Sequence, residues 1–144
     1  MRRTLGVGVV LLLAILFMPS DVWGQQSGER AKSRLGANYP NPFNPETRIP
    51  FDLFDEDFVG GRPVVVSIRI RSVMGEVVAI PAALNHPDGN GVEVNNLQYT
   101  TPGEKTAYWN GLNRSGRKVA SGIYYVELVV NGERAPPRQI VVAK

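Results

Sequence analysis

The residues of this chain that could carry acid–base or metal chemistry are few. His86 is the sole histidine, and the sequence contains no cysteine. A nucleophilic triad needs a base that is held by an orienting partner, and a zinc site draws mainly on histidine and cysteine ligands. One histidine in a loop of Pro, Asp, Gly and Asn supplies neither arrangement. We therefore expect a protein that is not an enzyme.

Two acidic loops offer the remaining oxygen donors. Asp55, Glu56 and Asp57 are adjacent, and residues 88–91 read Asp-Gly-Asn-Gly. Calcium takes about six to eight oxygen ligands, commonly from a loop with Asp at alternate positions before a Gly, and that spacing is absent. Acidic and glycine residues are ordinary in turns, so we expect no cofactor, with weak calcium binding at either loop as the open alternative.

The charges of the chain argue against nucleic acid as a partner. Lys and Arg number 16, Asp and Glu number 13, and the formal net charge is +3. No basic stripe interleaved with aromatics is present, although such a stripe is typical of nucleic-acid-binding proteins. Arg69 and Arg71 alternate with Ile68 and Ile70, as on the solvated face of a strand. We expect neither a nucleic-acid partner nor a small-molecule substrate.

The N-terminus has the pattern of an export signal. Residues 1–3 are basic at two positions, residues 5–18 are apolar, and Val22 and Gly24 precede a plausible cleavage point. This order is typical of a secretory signal peptide. The apolar stretch is shorter than the roughly 20 residues of a membrane-spanning helix. The sequence therefore predicts a cleaved signal peptide over residues 1–24 rather than a membrane anchor.

The mature chain is predicted to be one domain without crosslinks. Residues 25–36 are polar and aperiodic, which indicates a flexible lead-in, and residues 37–144 suit a single core. The absence of cysteine excludes a disulfide framework and a lipid attached to cysteine. The domain must therefore be held by its core or by metal ions.

The predicted domain is all-β. Fifteen glycines and 11 prolines favour turns, and apolar residues alternate with polar ones at the period of a strand. The predicted strands, about seven in number, are 49–53, 64–71, 77–80, 92–99, 106–109, 123–130 and 139–143. An antiparallel sandwich of two sheets buries one face of each strand most economically.

Residues 38–45, "NYPNPFNP", form a segment that we call the Asn-Pro strap. Each X-Pro step biases the preceding residue toward extended backbone, and asparagine side chains close local turns. We expect a rigid, kinked segment rather than a strand or helix. Tyr39 and Phe43 are its large apolar residues, and both are predicted to pack on the edge of the domain.

Four segments in order resemble one known family. They are "NYPNPFNPETRIPFDL" (38–53), "VSIRIRSVMGEVV" (66–78), "YWNGLNRSGRKVASGIYYVELVVNGE" (108–133) and "RQIVVAK" (138–144). Together they resemble the type A C-terminal sorting domain of the type IX secretion system and the related immunoglobulin-like domains of hook-capping proteins. The similarity covers nearly all of residues 37–144.

The resemblance implies an immunoglobulin-like β-sandwich and a non-catalytic exported protein. Such a domain would direct translocation across the outer membrane, or surface attachment, through contacts with translocon components. It would reach the medium or the cell surface through the periplasm of a Gram-negative bacterium. Two alternatives stay open, namely a structural or adhesive module of the periplasm or surface, and a sorting domain that has lost its cargo. The oligomeric state is not predicted.

The resemblance also implies that recognition uses motif residues rather than a pocket. These residues are Asn38, Pro40, Asn41, Pro42, Phe43, Asn44, Pro45, Trp109, Gly111, Gly116, Gly122, Tyr124 and Lys144. The three glycines are expected at tight turns, where Asn110 and Asn113 would tolerate left-handed backbone. Trp109 is expected to fill the core rather than to form a carbohydrate platform.

Overall fold

A computed structural model describes residues 35–144, which form two antiparallel sheets with almost no helix. The strands are β1 (Thr47–Leu53), β2 (Val64–Arg71), β3 (Val77–Ala79), β4 (Ala82–Leu84), β5 (Leu97–Tyr99), β6 (Gly103–Trp109), β7 (Gly122–Val130), β8 (Glu133–Arg134) and β9 (Arg138–Val142). The predicted signal peptide and all but two residues of the lead-in lie outside this range. Within it, no helix is long and apolar enough to cross a bilayer.

The strand order separates the chain into a small and a large sheet. The three-stranded sheet has the order β1-β6-β4, and the larger sheet has the order β3-β2-β7-β8. β5 also pairs with β2, and β9 pairs with β7. The all-β prediction is confirmed.

The strand registers define two ends of the domain. Thr47 pairs with Trp109 at one end of β1, and Gly122 pairs with Val142 at one end of β7. We call this the strap end, because the Asn-Pro strap joins it through a bridge between Phe43 and Val142. The opposite end, with the loops that follow β1 and β7, is called the far end.

One apolar core lies between the two sheets. The inward residues of β1, β2 and β7 recur at every second position, as their period predicts. Those of β1 and β2 are almost fully inaccessible: Ile49, Phe51, Leu53, Val64, Val66, Ile68 and Ile70. The Phe51 ring meets the Tyr99 ring edge-on at 5.7 Å between centroids, so an aromatic pair connects the two sheets.

Three elements of the structure differ from the sequence-based prediction. The predicted strand 92–99 shortens to β5, because Asn96 has a φ of 52° and interrupts the extended backbone. The sequence does not predict β4, since Ala-Ala-Leu carries too little β-propensity to stand out. It does not predict β8 either, because both residues of that strand are exposed and charged and the hairpin turn fixes their pairing.

Two predicted turns have the expected backbone. Gly75 has a φ of 84° in the turn between β2 and β3. Asn131 and Gly132 have φ values of 49° and 83°, the two successive positive angles that a type I′ hairpin requires. The sequence identifies these turns correctly because each needs a backbone conformation that few residue types adopt readily.

Residues 35–39 cover the open edge of β1. Leu35 bridges Phe51 and Tyr39 bridges Arg48, both in antiparallel fashion, and the Gly36 amide donates to the Pro50 carbonyl at 2.7 Å. Leu35 is 5% exposed. Contacts with the core are therefore made two residues before the predicted domain start at residue 37, and a covered edge cannot pair with another chain.

The burial of Leu35 predicts a measurable stability cost on truncation. Leu35→Ala should lower the free energy of unfolding by about 2–4 kcal/mol, because it removes a core side chain and leaves a cavity. Urea denaturation followed by tryptophan fluorescence measures the change. Val59→Ala is the matched control, since Val59 is 61% exposed. An equal, small effect of both substitutions would contradict the assignment of Leu35 to the core.

Candidate functional site

Three aromatic residues of the motif segments form a row at the strap end. The ring centroids of Phe43 and Trp109 are 5.2 Å apart, and those of Trp109 and Tyr124 are 5.8 Å apart. The indole N–H donates to the Leu112 carbonyl at 2.9 Å, and the Tyr124 hydroxyl donates to the Ala120 carbonyl at 3.0 Å. Trp109 is 2% exposed, which confirms its predicted place in the core.

The Asn-Pro strap pairs with the last strand of the chain. The Phe43 amide donates to the Val141 carbonyl at 3.0 Å, and the Ala143 amide donates to the Phe43 carbonyl at 3.1 Å. The Val141 amide donates to the side-chain oxygen of Asn41 at 3.1 Å. The strap therefore runs along the outer edge of β9, so the first and last motif segments form one continuous surface.

A buried polar cluster fixes the shape of the strap. Asn38 is 6% exposed and Thr47 is fully buried. Asn38 Nδ2 donates to the Pro40 carbonyl at 3.1 Å and to Thr47 Oγ1 at 2.9 Å, and Thr47 Oγ1 donates to the same carbonyl at 2.9 Å. Thr47 belongs to none of the predicted motif residues, but its position two residues before Ile49, on the inward face of β1, indicates its burial.

Gly111 allows the β6–β7 loop (residues 110–121) to contact the strap. Its φ is +72°, and a Cβ at this position would lie 2.5 Å from the Pro45 carbonyl oxygen. Gly116 and Gly122 have φ values of +74° and +149°, and a Cβ added to either would meet no atom within 4 Å. Gly111 therefore has a packing role in addition to the turn role that all three glycines share.

Asn110 and Asn113 act through their side chains, which corrects the prediction of left-handed backbone. Neither is among the residues 35–144 that have positive φ. Asn110 Oδ1 accepts from the Leu112 amide at 3.1 Å. Asn113 Oδ1 accepts from the Ser115 and Arg117 amides, both at 3.0 Å. These bonds form Asx turns, which shape the loop without positive φ at either asparagine.

Much of the strap surface faces solvent. Pro40, Asn41, Pro42, Asn44 and Pro45 are all exposed, as is Lys144. Phe43 packs on the domain as predicted and is 1% exposed, but the Tyr39 side chain is 50% exposed, and only the Tyr39 backbone pairs with the edge of β1, at Arg48. Extended backbone points successive side chains to opposite sides, and Asn38 takes the inward position.

A shallow cleft of about 490 Å³ runs between the strap and the small sheet. Pro40 and Pro45 line one side, and Tyr108 lines the other. The Tyr108 hydroxyl donates to a carboxylate oxygen of Glu46, and this hydrogen bond raises the pKa of Tyr108. The cleft contains exposed proline rings and an aromatic side chain, a surface suited to contacts with another polypeptide.

The outer face of the large sheet carries a cluster of ion pairs. Glu127 is 8% exposed and lies 3.4 Å from Arg69, 3.1 Å from Arg71 and 3.4 Å from Arg134. Arg69 and Arg71 are thus paired and half-buried, not simply solvated as predicted. Burial alone would raise the pKa of Glu127, but the hydrogen bonds and charges of the arginines, led by Arg71, outweigh it and lower the pKa.

His86 lies in its predicted loop but is buried, at 8% exposed. Its Nε2 is 2.8 Å from the Gln98 carbonyl, and its Nδ1 accepts from the Asp88 amide at 3.1 Å. With Nδ1 as an acceptor, Nε2 is the nitrogen that donates to the Gln98 carbonyl. The ring packs edge-on against Tyr99 at 4.8 Å, and burial raises the pKa of Tyr99 to about 12. Both ring nitrogens thus serve the fold.

The acidic loops do not converge with other metal-binding groups. Across residues 35–144, no group of three or more His, Cys, Asp or Glu side chains is arranged to hold a metal ion. Asp57 instead accepts the Phe54 amide at 2.7 Å through its carboxylate, which closes the 3₁₀ turn Asp55–Asp57.

Comparisons with known proteins give little guidance. No family model matches the chain, and no curated protein matches it. Among solved structures it is similar to the Pseudomonas fluorescens alkylpurine DNA glycosylase AlkC bound to DNA containing an abasic site analog, with 16% identity and a TM-score of 0.47. The similarity covers 81% of this chain and 32% of that one. A likeness at this level carries no argument about function.

The contact between Gly111 and the strap predicts a difference between two glycine substitutions. Gly116→Ala should cost about 1–2 kcal/mol of stability for the left-handed backbone alone. Gly111→Ala should cost that amount plus about 1–3 kcal/mol, because the new methyl group overlaps the Pro45 carbonyl. Chemical denaturation of both variants measures the difference. Equal losses would contradict the close approach of the strap to the loop.

The lowered pKa of Glu127 predicts a pH-dependent contribution to stability. A depressed folded-state pKa contributes stability above the unfolded value of about 4.5, and this contribution is lost as pH falls through the folded-state pKa. Glu127→Gln should cost about 1–3 kcal/mol at neutral pH and progressively less as the medium is acidified below 4.5. Glu133→Gln, at an exposed site, is the control. A loss independent of pH would contradict the ion-pair assignment.

Proposed function

We propose that this protein is an exported, non-catalytic domain with an immunoglobulin-like sandwich fold, of the kind that sorts proteins through a type IX secretion system. It would direct outer-membrane translocation or surface attachment by presenting a surface to translocon components. The predicted signal peptide, residues 1–24, would bring it to the periplasm, and it would act in the medium or at the cell surface.

The observation that carries this proposal is the convergence of the motif segments. Phe43, Trp109 and Tyr124 come from segments that are distant in sequence, yet their rings form one row. The Phe43 backbone also pairs with Val141 and Ala143 near the end of the sequence. A translocon that reads the strap surface would therefore read the closing segment at the same time.

The absence of an assembled reaction centre in residues 35–144 supports a non-catalytic role. The single histidine has both ring nitrogens engaged. The clefts at the strap end are shallow, and their lining mixes exposed proline, asparagine and tyrosine rather than convergent acids. A binding surface is a simpler interpretation of this arrangement than an active site.

Deletion of residues 138–144 is a poor test of sorting, because it removes β9 and the strap partners. Exposed motif residues give a better test. Asn44 and Lys144 are exposed and make no side-chain hydrogen bond or ion pair to another residue within 35–144 that would tie them to the fold. A variant with both changed to alanine should therefore fold normally.

Asn44→Ala with Lys144→Ala is expected to lower the fraction of protein in the medium and on the surface of a host that has the type IX system, with accumulation in the periplasm. Cell fractionation and intact mass measure the distribution, and thermal unfolding confirms the fold. Asn95→Ala with Arg62→Ala is the control, since both sites are exposed at positions outside the motif segments. Unchanged export of the motif variant, or unchanged export from a host without the translocon, would contradict the proposal.

A structural or adhesive module is the second candidate. Exposed apolar residues favour it: Ile123 is 43% exposed and Tyr125 is 38% exposed on the outer face of the large sheet. Such a module would keep its distribution in a host that lacks the translocon, and it would associate with itself or with a partner unrelated to secretion. The fractionation experiment therefore separates the two functions.

A further inference from the structure

Charge is unevenly distributed between the two ends of the domain. Residues 35–144 hold equal numbers of cationic and carboxylate side chains. The strand registers, bridges and connecting turns place six cations at the strap end against three carboxylates, Glu46, Glu76 and Glu93. The cations are Arg48, Arg71, Arg114, Arg117, Lys118 and Lys144. This end therefore has an excess of three positive charges.

The far end has the opposite sign. Its connecting loops and adjoining strand termini hold three cations, Arg62, Lys105 and Arg134. They also hold seven carboxylates: Asp52, Asp55, Glu56, Asp57, Asp88, Glu104 and Glu133. The domain is thus neutral in sum but has a strong dipole along the strand direction.

The β6–β7 loop dominates the positive end. Arg114, Arg117 and Lys118 are exposed, and none of the three forms an ion pair with another residue in 35–144. Their charges are therefore available to an external anion. The Arg114 amide donates to the Val78 carbonyl at 3.0 Å, which fixes this loop beside β3.

Exposed apolar side chains project from the same end. Val73 is 67% exposed and Met74 is 84% exposed, in the turn that leads into β3. Ile123 is 43% exposed at the start of β7. The apolar turn and the basic loop therefore flank the same short strand. Basic side chains beside exposed aliphatic ones are typical of surfaces that meet anionic lipid.

We propose that the strap end docks the domain on an anionic lipid surface. The basic loop contacts the phosphate headgroups, Val73 and Met74 enter the interfacial region, and the acidic far end points away from the membrane. Because like charges repel, the negative far end disfavours the reverse orientation. This inference rests on the charge distribution and does not require the sorting function.

A lipid surface fits these residues better than a soluble polyanion does. A nucleic acid would use the cations but would leave Val73 and Met74 exposed, and no aromatic platform for bases is interleaved with the basic loop. A bilayer accommodates both features at once. Attraction to the headgroups is screened by salt, so docking is expected to weaken as ionic strength rises.

The test uses the full chain and exploits its lack of cysteine. A single cysteine is introduced by Ser115→Cys in the basic loop or by Glu56→Cys at the far end, and each is labelled with an environment-sensitive fluorophore. Vesicles of phosphatidylglycerol with phosphatidylcholine are compared with pure phosphatidylcholine vesicles. Because the readout depends on label position, attachment through residues 1–34 alone does not reproduce the expected pattern.

The label at residue 115 is expected to enter a less polar environment with anionic vesicles only, while the label at residue 56 stays in water. Reversal of the loop charges (Arg114→Glu, Arg117→Glu and Lys118→Glu) should raise the lipid concentration needed for half of the maximal response roughly a hundredfold. The matched control is Arg62→Glu, Lys105→Glu and Arg138→Glu, which changes the net charge equally. This control should raise that lipid concentration less than about tenfold, since charges far from the membrane contact are screened by salt.

Four results would overturn the proposal. The first is unchanged fluorescence of the label at residue 115 when anionic vesicles are added, and the second is an equal fluorescence change of the labels at residues 115 and 56. The third is an undiminished fluorescence change after the loop charges are reversed. The fourth is a fluorescence change with a short DNA duplex but none with vesicles. All use purified protein and no translocon. Failure here would leave the export experiment unaffected, and a failed export experiment would leave this proposal standing.

Discussion

The pairing of the Asn-Pro strap with β9 is the constraint on which the rest of the structure depends. Phe43 contributes its amide and carbonyl to this pairing, while its ring fills the core against Trp109. One residue thus closes a sheet edge and seals the end of the core. An open edge would expose unpaired backbone groups and invite association with other chains. The strap is therefore part of the domain and not a spacer ahead of it.

The β6–β7 loop is adapted to this constraint. Gly111 leaves room for the Pro45 carbonyl, and Asx turns at Asn110 and Asn113 hold the loop in shape. The loop can then carry exposed cations at its tip while its base is packed against the strap. The motif residues accordingly divide into those that hold the domain together and those that face solvent. We place the proposed recognition in the second group, since a buried ring cannot be read by a partner.

The sequence is most informative where one physical requirement decides the structure. The alternation of Val64–Arg71 predicts β2 without error, and Asn131 with Gly132 predicts the hairpin turn that follows β7. Pairings between distant segments are not predictable, because no local signal at Leu35 or Phe43 says which strand it meets. For the same reason the sequence cannot show that Gly111 faces a carbonyl of the strap. The prediction for the Tyr39 side chain fails because apolar character alone does not show whether a residue of an extended segment faces the core or the solvent.

The proposed site likewise combines features that the sequence predicts with features that only the fold shows. The residues of the site are predicted from a resemblance. Their assembly into one surface, and the opposite net charges of the two ends, are visible only in the strand registers. The numbers of positive and negative residues in the sequence are nearly equal, so they do not show that the two signs lie at opposite ends of the domain. Net charge is thus a poor guide to partners when a fold sorts its charges by position.

Native-state hydrogen exchange of the Phe43 and Ala143 amides would show most directly whether the strap and β9 are integral to the domain. If they are, both amides exchange through an opening whose free energy is close to that of the amides joining β2 and β7, since the edge and the core unfold together. Exchange through a much cheaper local opening, as for a fraying terminus, would show that the strap is only loosely attached and that the motif segments do not form one cooperative surface.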